Sequence, residues 1–170
     1  MRHVRGVAPW LGLVLLLGFA ALSAAPAAPA QAPAKAPEFS GRWQLDVAAS
    51  DFGKGHRVPR WREDAISQAG VWVSVHSVTA RAAADTLRLD YRYRTDGEAV
   101  NALMGQEVHT RGRRDGGSLR FDSVAHILLL ELGVTEHWSL SRDGATFTLE
   151  RRSRSPLGSE QQRLVFRRQR

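Results

Sequence analysis

The sequence predicts an all-β domain, an antiparallel up-and-down barrel of about 8–10 strands, behind an N-terminal helical leader. Three observations predict it. Apolar and polar residues alternate in short segments: Tyr91 and Tyr93 against Arg92 and Arg94, and Phe147 and Leu149 against Thr146, Thr148 and Glu150. Side chains of a strand point to opposite faces in turn, so this alternation gives one wet and one dry face. Turn-forming residues interrupt the alternation at short, regular intervals from Phe39 to Phe166. No segment with a helical period survives beyond the leader.

Residues 1–27 read as a signal peptide. Arg2 and Arg5 give a positive start, an apolar run extends from Trp10 to Leu22, and small residues follow. The apolar run is shorter than the ~20 residues of a membrane-spanning helix. No cysteine follows it, which excludes a lipid-anchored lipoprotein. Residues 28–38 read as an Ala/Pro-rich tether. The barrel domain is expected over 39–170, long enough for one sizeable core. The leader makes the expected location periplasmic or secreted, and the Ala- and Arg-rich composition suggests a bacterial source.

The elements follow in order. Phe39 to Asp46 is the first strand, with Phe39, Gly41, Trp43 and Leu45 on one face. Val47 to Pro59 reads as a loop with one helical turn capped by Ser50 or Asp51. Trp61 to Gln68 is a polar strand with two open registers: Arg62, Asp64 and Ile66 inward, or Trp61, Ala65 and Ser67 inward. Ala69-Gly70 turns the chain into Val71 to Thr79, and Thr86 to Arg94 is the clearest strand. Thr95-Asp96-Gly97-Glu98 reads as a tight hairpin. Strands over Ala99 to Met104, Gln106 to Arg113 and Ser118 to His126 follow, the last two joined through Asp115-Gly116-Gly117. Val134 to Ser141 and Ala145 to Ser153 flank Asp143-Gly144, and Glu160 to Arg167 ends the domain. A meander of this kind closes on itself or leaves two bare edges, and closure removes the aggregation risk.

Phe39-Ser40-Gly41-Arg42-Trp43-Gln44-Leu45, the loop with Ser50-Asp51-Phe52-Gly53 and the all-strand meander together resemble the lipocalin-like, or calycin, barrels, in particular their small exported bacterial members of unassigned role. The resemblance implies that Gly41 and Trp43 close one end of the barrel. It also implies that a basic residue of the last strands packs on Trp43, with Arg151, Arg163 and Arg167 as candidates. The paired Arg and Tyr that hold a fatty carboxylate in one branch have no clean match, because the last strand offers Leu164 and Phe166 instead.

Parity nominates the interior polar groups. Trp138 and Leu140 bring Glu136 inside, Phe147 and Leu149 bring Arg151, and Leu164 and Phe166 bring Gln162. With Tyr91, Tyr93, Arg62 and Asp64 these are the candidate ligand-binding residues, and Arg151 requires a partner such as Glu136. The apolar run Ile127, Leu128, Leu129, Leu130 and Leu132, interrupted by Glu131, falls where a turn is expected and is a candidate interface.

The chain has 24 Lys+Arg against 17 Asp+Glu. Two of the basic residues lie in the leader, which leaves 22 against 17, a net charge of +5 carried almost wholly by arginine. An exported chain rarely meets nucleic acid, so anionic envelope polymers, lipid head groups or plain solvation are the expected partners of this charge. No metal spacing, cofactor motif, nucleotide loop or nucleophile elbow is present, and an enzyme is not expected. Two readings remain. One is an exported binding protein for a small hydrophobic or amphipathic ligand. The other is a filled barrel that contacts protein, lipid or polymer through residues 127–132 or its basic outer face, with peripheral membrane contact included. The sequence does not fix an oligomeric state.

Overall fold

The computed structural model describes residues 37–54, 56–81 and 85–170. The residues that read as a signal peptide, and most of those that read as a tether, lie outside the described residues. The described residues form ten strands and no helix: β1 (Gly41–Leu45), β2 (Trp61–Ala69), β3 (Trp72–Ala80), β4 (Thr86–Arg94), β5 (Asp96–Leu103), β6 (Gln106–Asp115), β7 (Ser118–Ile127), β8 (Leu130–Leu140), β9 (Thr146–Ser155) and β10 (Gly158–Arg168). All ladders are antiparallel, in the order β4-β3-β2-β1-β10-β9-β8-β7-β6-β5. The sheet is a nearly closed barrel, as the alternation predicts.

This connectivity gives the barrel two distinct ends. The links after β2, β4, β6 and β8 lie at one end with the start of β1 and the end of β10; we call it the closed end. The links after β1, β3, β5, β7 and β9 lie at the other, the open end.

Aromatic packing fills the closed end. Phe147 sits at its centre, stacked on Phe166 at 5.1 Å and meeting Trp43 and Trp138 edge-on or tilted at 5.6 and 5.1 Å. Pairs in these geometries add to plain area burial. The Trp43 indole donates to the Phe39 carbonyl at 2.8 Å, so its one polar atom is satisfied inside the core. The basic residue over Trp43 is Arg168, 4.2 Å from the ring, and not Arg151, Arg163 or Arg167. Trp43 pairs directly with Arg168 in the β1–β10 ladder, which sets the guanidinium beside it. Gly41 has φ 139°, and a Cβ there would lie 2.7 Å from the Arg168 Nη1 atom. A side chain at position 41 would therefore displace Arg168 from the tryptophan, which gives Gly-x-Trp a physical basis.

Two local expectations are corrected. The β1–β2 loop holds a single hydrogen-bonded turn over 47–49, with no helix among its described residues. Asp46, not Ser50 or Asp51, caps this turn by accepting the Ala49 N–H at 3.1 Å. Ser50 donates to the Asp46 carbonyl and accepts from the Val165 N–H, and Asp51 makes a bridge to Arg163, so the loop is tied to β10.

Thr95-Asp96-Gly97-Glu98 is not a hairpin either. Asp96 already begins β5, and β4 and β5 form no ladder. The Thr95 N–H donates instead to the Val71 carbonyl at 2.8 Å, and the Arg94 carbonyl packs against Gly112 of β6. A Cβ on Gly112 would lie 1.7 Å from that carbonyl, so only glycine permits the crossing. Beyond the Arg94–Asp96 ion pair at the corner, the Asn101 side chain spans the gap between the strands. The Asn101 Oδ1 accepts the Arg92 N–H at 2.7 Å, and the Asn101 Nδ2 donates to the Arg92 carbonyl at 2.9 Å. An amide side chain thus reproduces one rung of the missing ladder.

Candidate functional site

Above the aromatic plug the interior changes character. Strand β2 takes the register with Arg62, Asp64 and Ile66 inward, and Trp61 is exposed. The Arg62 guanidinium donates to both carboxylate oxygens of Asp64, Nε at 2.8 Å and Nη2 at 2.7 Å, and lies 5.3 Å over Phe166. Across the barrel, Glu136 on β8 faces Arg151 on β9 in direct register. The Arg151 Nε and Nη2 groups donate to Glu136 Oε1 at 2.9 and 2.6 Å. The second oxygen, Oε2, accepts from the Trp138 indole at 3.0 Å and from the Tyr93 hydroxyl at 3.5 Å. Trp138 therefore links the plug to the polar layer.

Burial opposes the charge on both arginines, but the paired carboxylates outweigh it and hold each guanidinium above its ordinary pKa. Burial, reinforced by the same carboxylates, pushes the Tyr91 and Tyr93 hydroxyls up as well. The layer is thus two ion pairs and two neutral phenols, electrically balanced over a short distance.

This layer is the floor of a cavity of about 460 Å³. Aliphatic side chains such as Leu87, Leu89, Val108 and Leu164 make the walls. The cavity reaches Arg57, Pro59, Arg81 and Met104 at the open end. Its size lies in the range of roughly 300–1,000 Å³ that accepts small organic molecules.

The hydrogen-bond inventory of the floor is one-sided. Every carboxylate oxygen of Asp64 and Glu136 already accepts from the protein. The Nη1 groups of Arg62 and Arg151 and the Tyr91 hydroxyl take part in no hydrogen bond among the described residues, and all three residues line the cavity. The floor therefore offers donors, and an acceptor-rich group is what satisfies them.

The structure brings Glu136, Arg151, Tyr93, Tyr91, Arg62 and Asp64 together. Gln162 lines the same cavity but donates away from the cluster, to the Phe52 carbonyl at 3.1 Å. Parity places Arg62 and Asp64 on one face, and the structure pairs them. Their spacing of two in a strand, with opposite charges, was the available signal. The apolar run divides. Leu128 and Leu129 form the β7–β8 turn and are 93% and 100% exposed, whereas Leu132 is half-buried and faces the cavity.

No protein-family model matches the chain, and no curated protein sequence matches it. Solved structures do. The fluorescent protein UnaG matches with a TM-score of 0.52 at 13% identity, over 77% of this chain and 97% of that one. Zebrafish ileal bile acid-binding protein complexed with cholic acid matches with a TM-score of 0.51 at 11% identity, over 77% of this chain and 98% of that one. A secretory abundant heat soluble protein from Ramazzottius varieornatus matches with a TM-score of 0.51 at 12% identity, over 81% and 100%. The fold is a calycin-type barrel. At these identities the likeness concerns the fold, and the interior chemistry is this chain's own.

Proposed function

We propose that this calycin-type barrel is a binding protein for a small amphipathic molecule, carried outside the cytoplasm by the leader. The apolar part lies along the aliphatic walls, and an acceptor-rich polar end rests on the floor formed by Arg62, Arg151 and Tyr91. The observation that supports this most is the one-sided floor: saturated carboxylates, with arginine and phenol donors left facing a 460 Å³ cavity. A barrel filled by its own side chains would leave no such volume. The structural likeness to a protein solved with cholic acid fits the same reading.

Native mass spectrometry of protein isolated from its expressing cells would show a releasable small molecule. Displacement of a bound fluorescent amphiphile would then rank candidate ligands. Arg151→Leu is best made together with Glu136→Leu, so that no buried carboxylate is stranded. That double variant is expected to keep the fold and to weaken binding of amphiphiles with anionic heads at least about tenfold, with neutral ones little changed. Unchanged affinity for anionic amphiphiles in the folded double variant would refute the assignment of the floor.

A further inference from the structure

We propose that the open end of the barrel docks peripherally on an anionic lipid bilayer, inserting the β7–β8 tip. The inference rests on the rim alone and holds whether or not the cavity carries a ligand.

The large apolar side chains at this end are set in an unusual way. Leu128 and Leu129 stand free at the β7–β8 turn, and Met104 at the β5–β6 turn is 74% exposed. Met104 and Leu128 are also the two non-glycine residues among those described with left-handed backbone, at φ 53° and 56°. Hairpins take glycine, asparagine or aspartate at such positions, because a Cβ is strained there. The closed-end turns follow that rule with Gly70, Gly116 and Gly144. At the open end the chain accepts backbone strain and places large apolar side chains in water at the same two positions. Strain of this kind persists where the side chain has a use. Leu157 on the β9–β10 turn and Trp61 at the start of β2 extend the set around the rim.

The charges say what those side chains meet. Lys54, Arg57, Arg60, Arg81, Arg88 and Arg154 are exposed at this end and make no ion pair among the described residues. Asp51 and Asp85 stand among them. The three glutamates there each face a histidine: Glu160 faces His56, Glu107 lies 2.9 Å from His109, and Glu131 lies 3.5 Å from His126. The rim arginines are thus free to meet phosphate groups while the leucines pass between them. The apolar tips sit on several different turns of the rim. A fluid interface accommodates them individually, with arginine and tryptophan at the head-group level.

The test is flotation of the isolated protein with vesicles of phosphatidylglycerol and phosphatidylcholine in equal parts, against vesicles of phosphatidylcholine alone. Preferential binding to the anionic vesicles, weakened by salt, is expected. Leu128→Gly combined with Leu129→Ser supplies the residue the turn geometry prefers. It should preserve or raise the unfolding temperature while lowering partition about tenfold or more. Insertion of the tip itself is read by Leu129→Trp, whose added fluorescence should be quenched by brominated lipids, a readout independent of any retained leader. An unquenched tryptophan at position 129, equal binding to neutral vesicles, or a turn variant that partitions as well as the parent would overturn the proposal. Loss of a dimer rather than of lipid binding in the turn variant would also overturn it, in favour of a second copy of the chain.

Discussion

The two ends of this barrel are built from the same alternating strands and filled in opposite ways. At the closed end three turns use glycine, the interior is filled by aromatic side chains, and several arginines are engaged. Arg168 covers Trp43, Arg92 and Arg94 lie over Trp72, and Arg42 meets Glu63. At the open end two turns use Met104 and Leu128, the interior is a cavity, and the arginines stand free. Alternation alone decides which side chains face inward. Side-chain volume then decides whether that interior is full, because six phenylalanine and tryptophan side chains (Phe39, Trp43, Phe121, Trp138, Phe147 and Phe166) fill the closed half where leucine, valine and serine only coat the open half. The polar floor lies at the boundary, and Trp138 belongs to both halves through its bond to Glu136.

The sharpest way to break this contrast is at the plug. Trp43→Ala removes a fully buried indole, its bond to the Phe39 carbonyl and the surface on which Arg168 rests. It is expected to cost about 3–5 kcal/mol, read as a lower midpoint in urea unfolding. A loss below about 1 kcal/mol would mean that the closed end does not anchor the fold.

A smaller effect is expected where neither end's packing helps. Asn101→Ala removes both of its bonds to the Arg92 backbone across the β4–β5 gap and should cost about 1–2 kcal/mol. Its particular signature is faster hydrogen exchange at the Arg92 amide, with the β9–β10 amides unaffected. Unchanged protection of Arg92 would show that the gap is closed by something other than this side chain.

The smallest effect at neutral pH concerns the boundary. The chain has two tyrosines, Tyr91 and Tyr93, and burial raises both hydroxyls above their ordinary value. A raised folded-state value means stability that is fully present below the unfolded value of about 10 and is lost as pH rises past it. Tyrosinate absorbance should therefore appear together with unfolding. Tyrosinate formed in a still-folded protein would show that the floor is wetter than its packing implies.

Much of this was readable in the residues themselves. The strands follow from period-two alternation and from Asp-Gly and Gly-Gly turns. The Glu136–Arg151 pair follows from register, because a hairpin turning at Asp143-Gly144 sets those two positions opposite each other. Other features turn on distances the sequence does not carry. Arg168 rather than Arg167 shares the inward parity of Leu164 and Phe166, but that it meets Trp43 depends on where β10 pairs with β1, a long-range register that no local turn fixes. The β4–β5 gap was hidden because Thr95-Asp96-Gly97 has hairpin chemistry, while the fold at that corner is set by Gly112, which lies far along the chain. The volume left above the floor depends on how all ten strands splay, and parity says nothing about that.

One feature of the sheet order bears on how the molecule comes into being. Every ladder but one joins strands that follow each other in the chain; the exception, β1 with β10, consists of Trp43 against Arg168, Gln44 against Arg167, and Leu45 against Phe166. Because β4 and β5 form no ladder, strands β1–β4 and β5–β10 stay two separate sheets until the final residues are available, however early the rest has paired. Joining segments so distant along the chain is slow compared with forming local hairpins. The three residue pairs that complete the wall therefore also set the moment at which a cavity first exists.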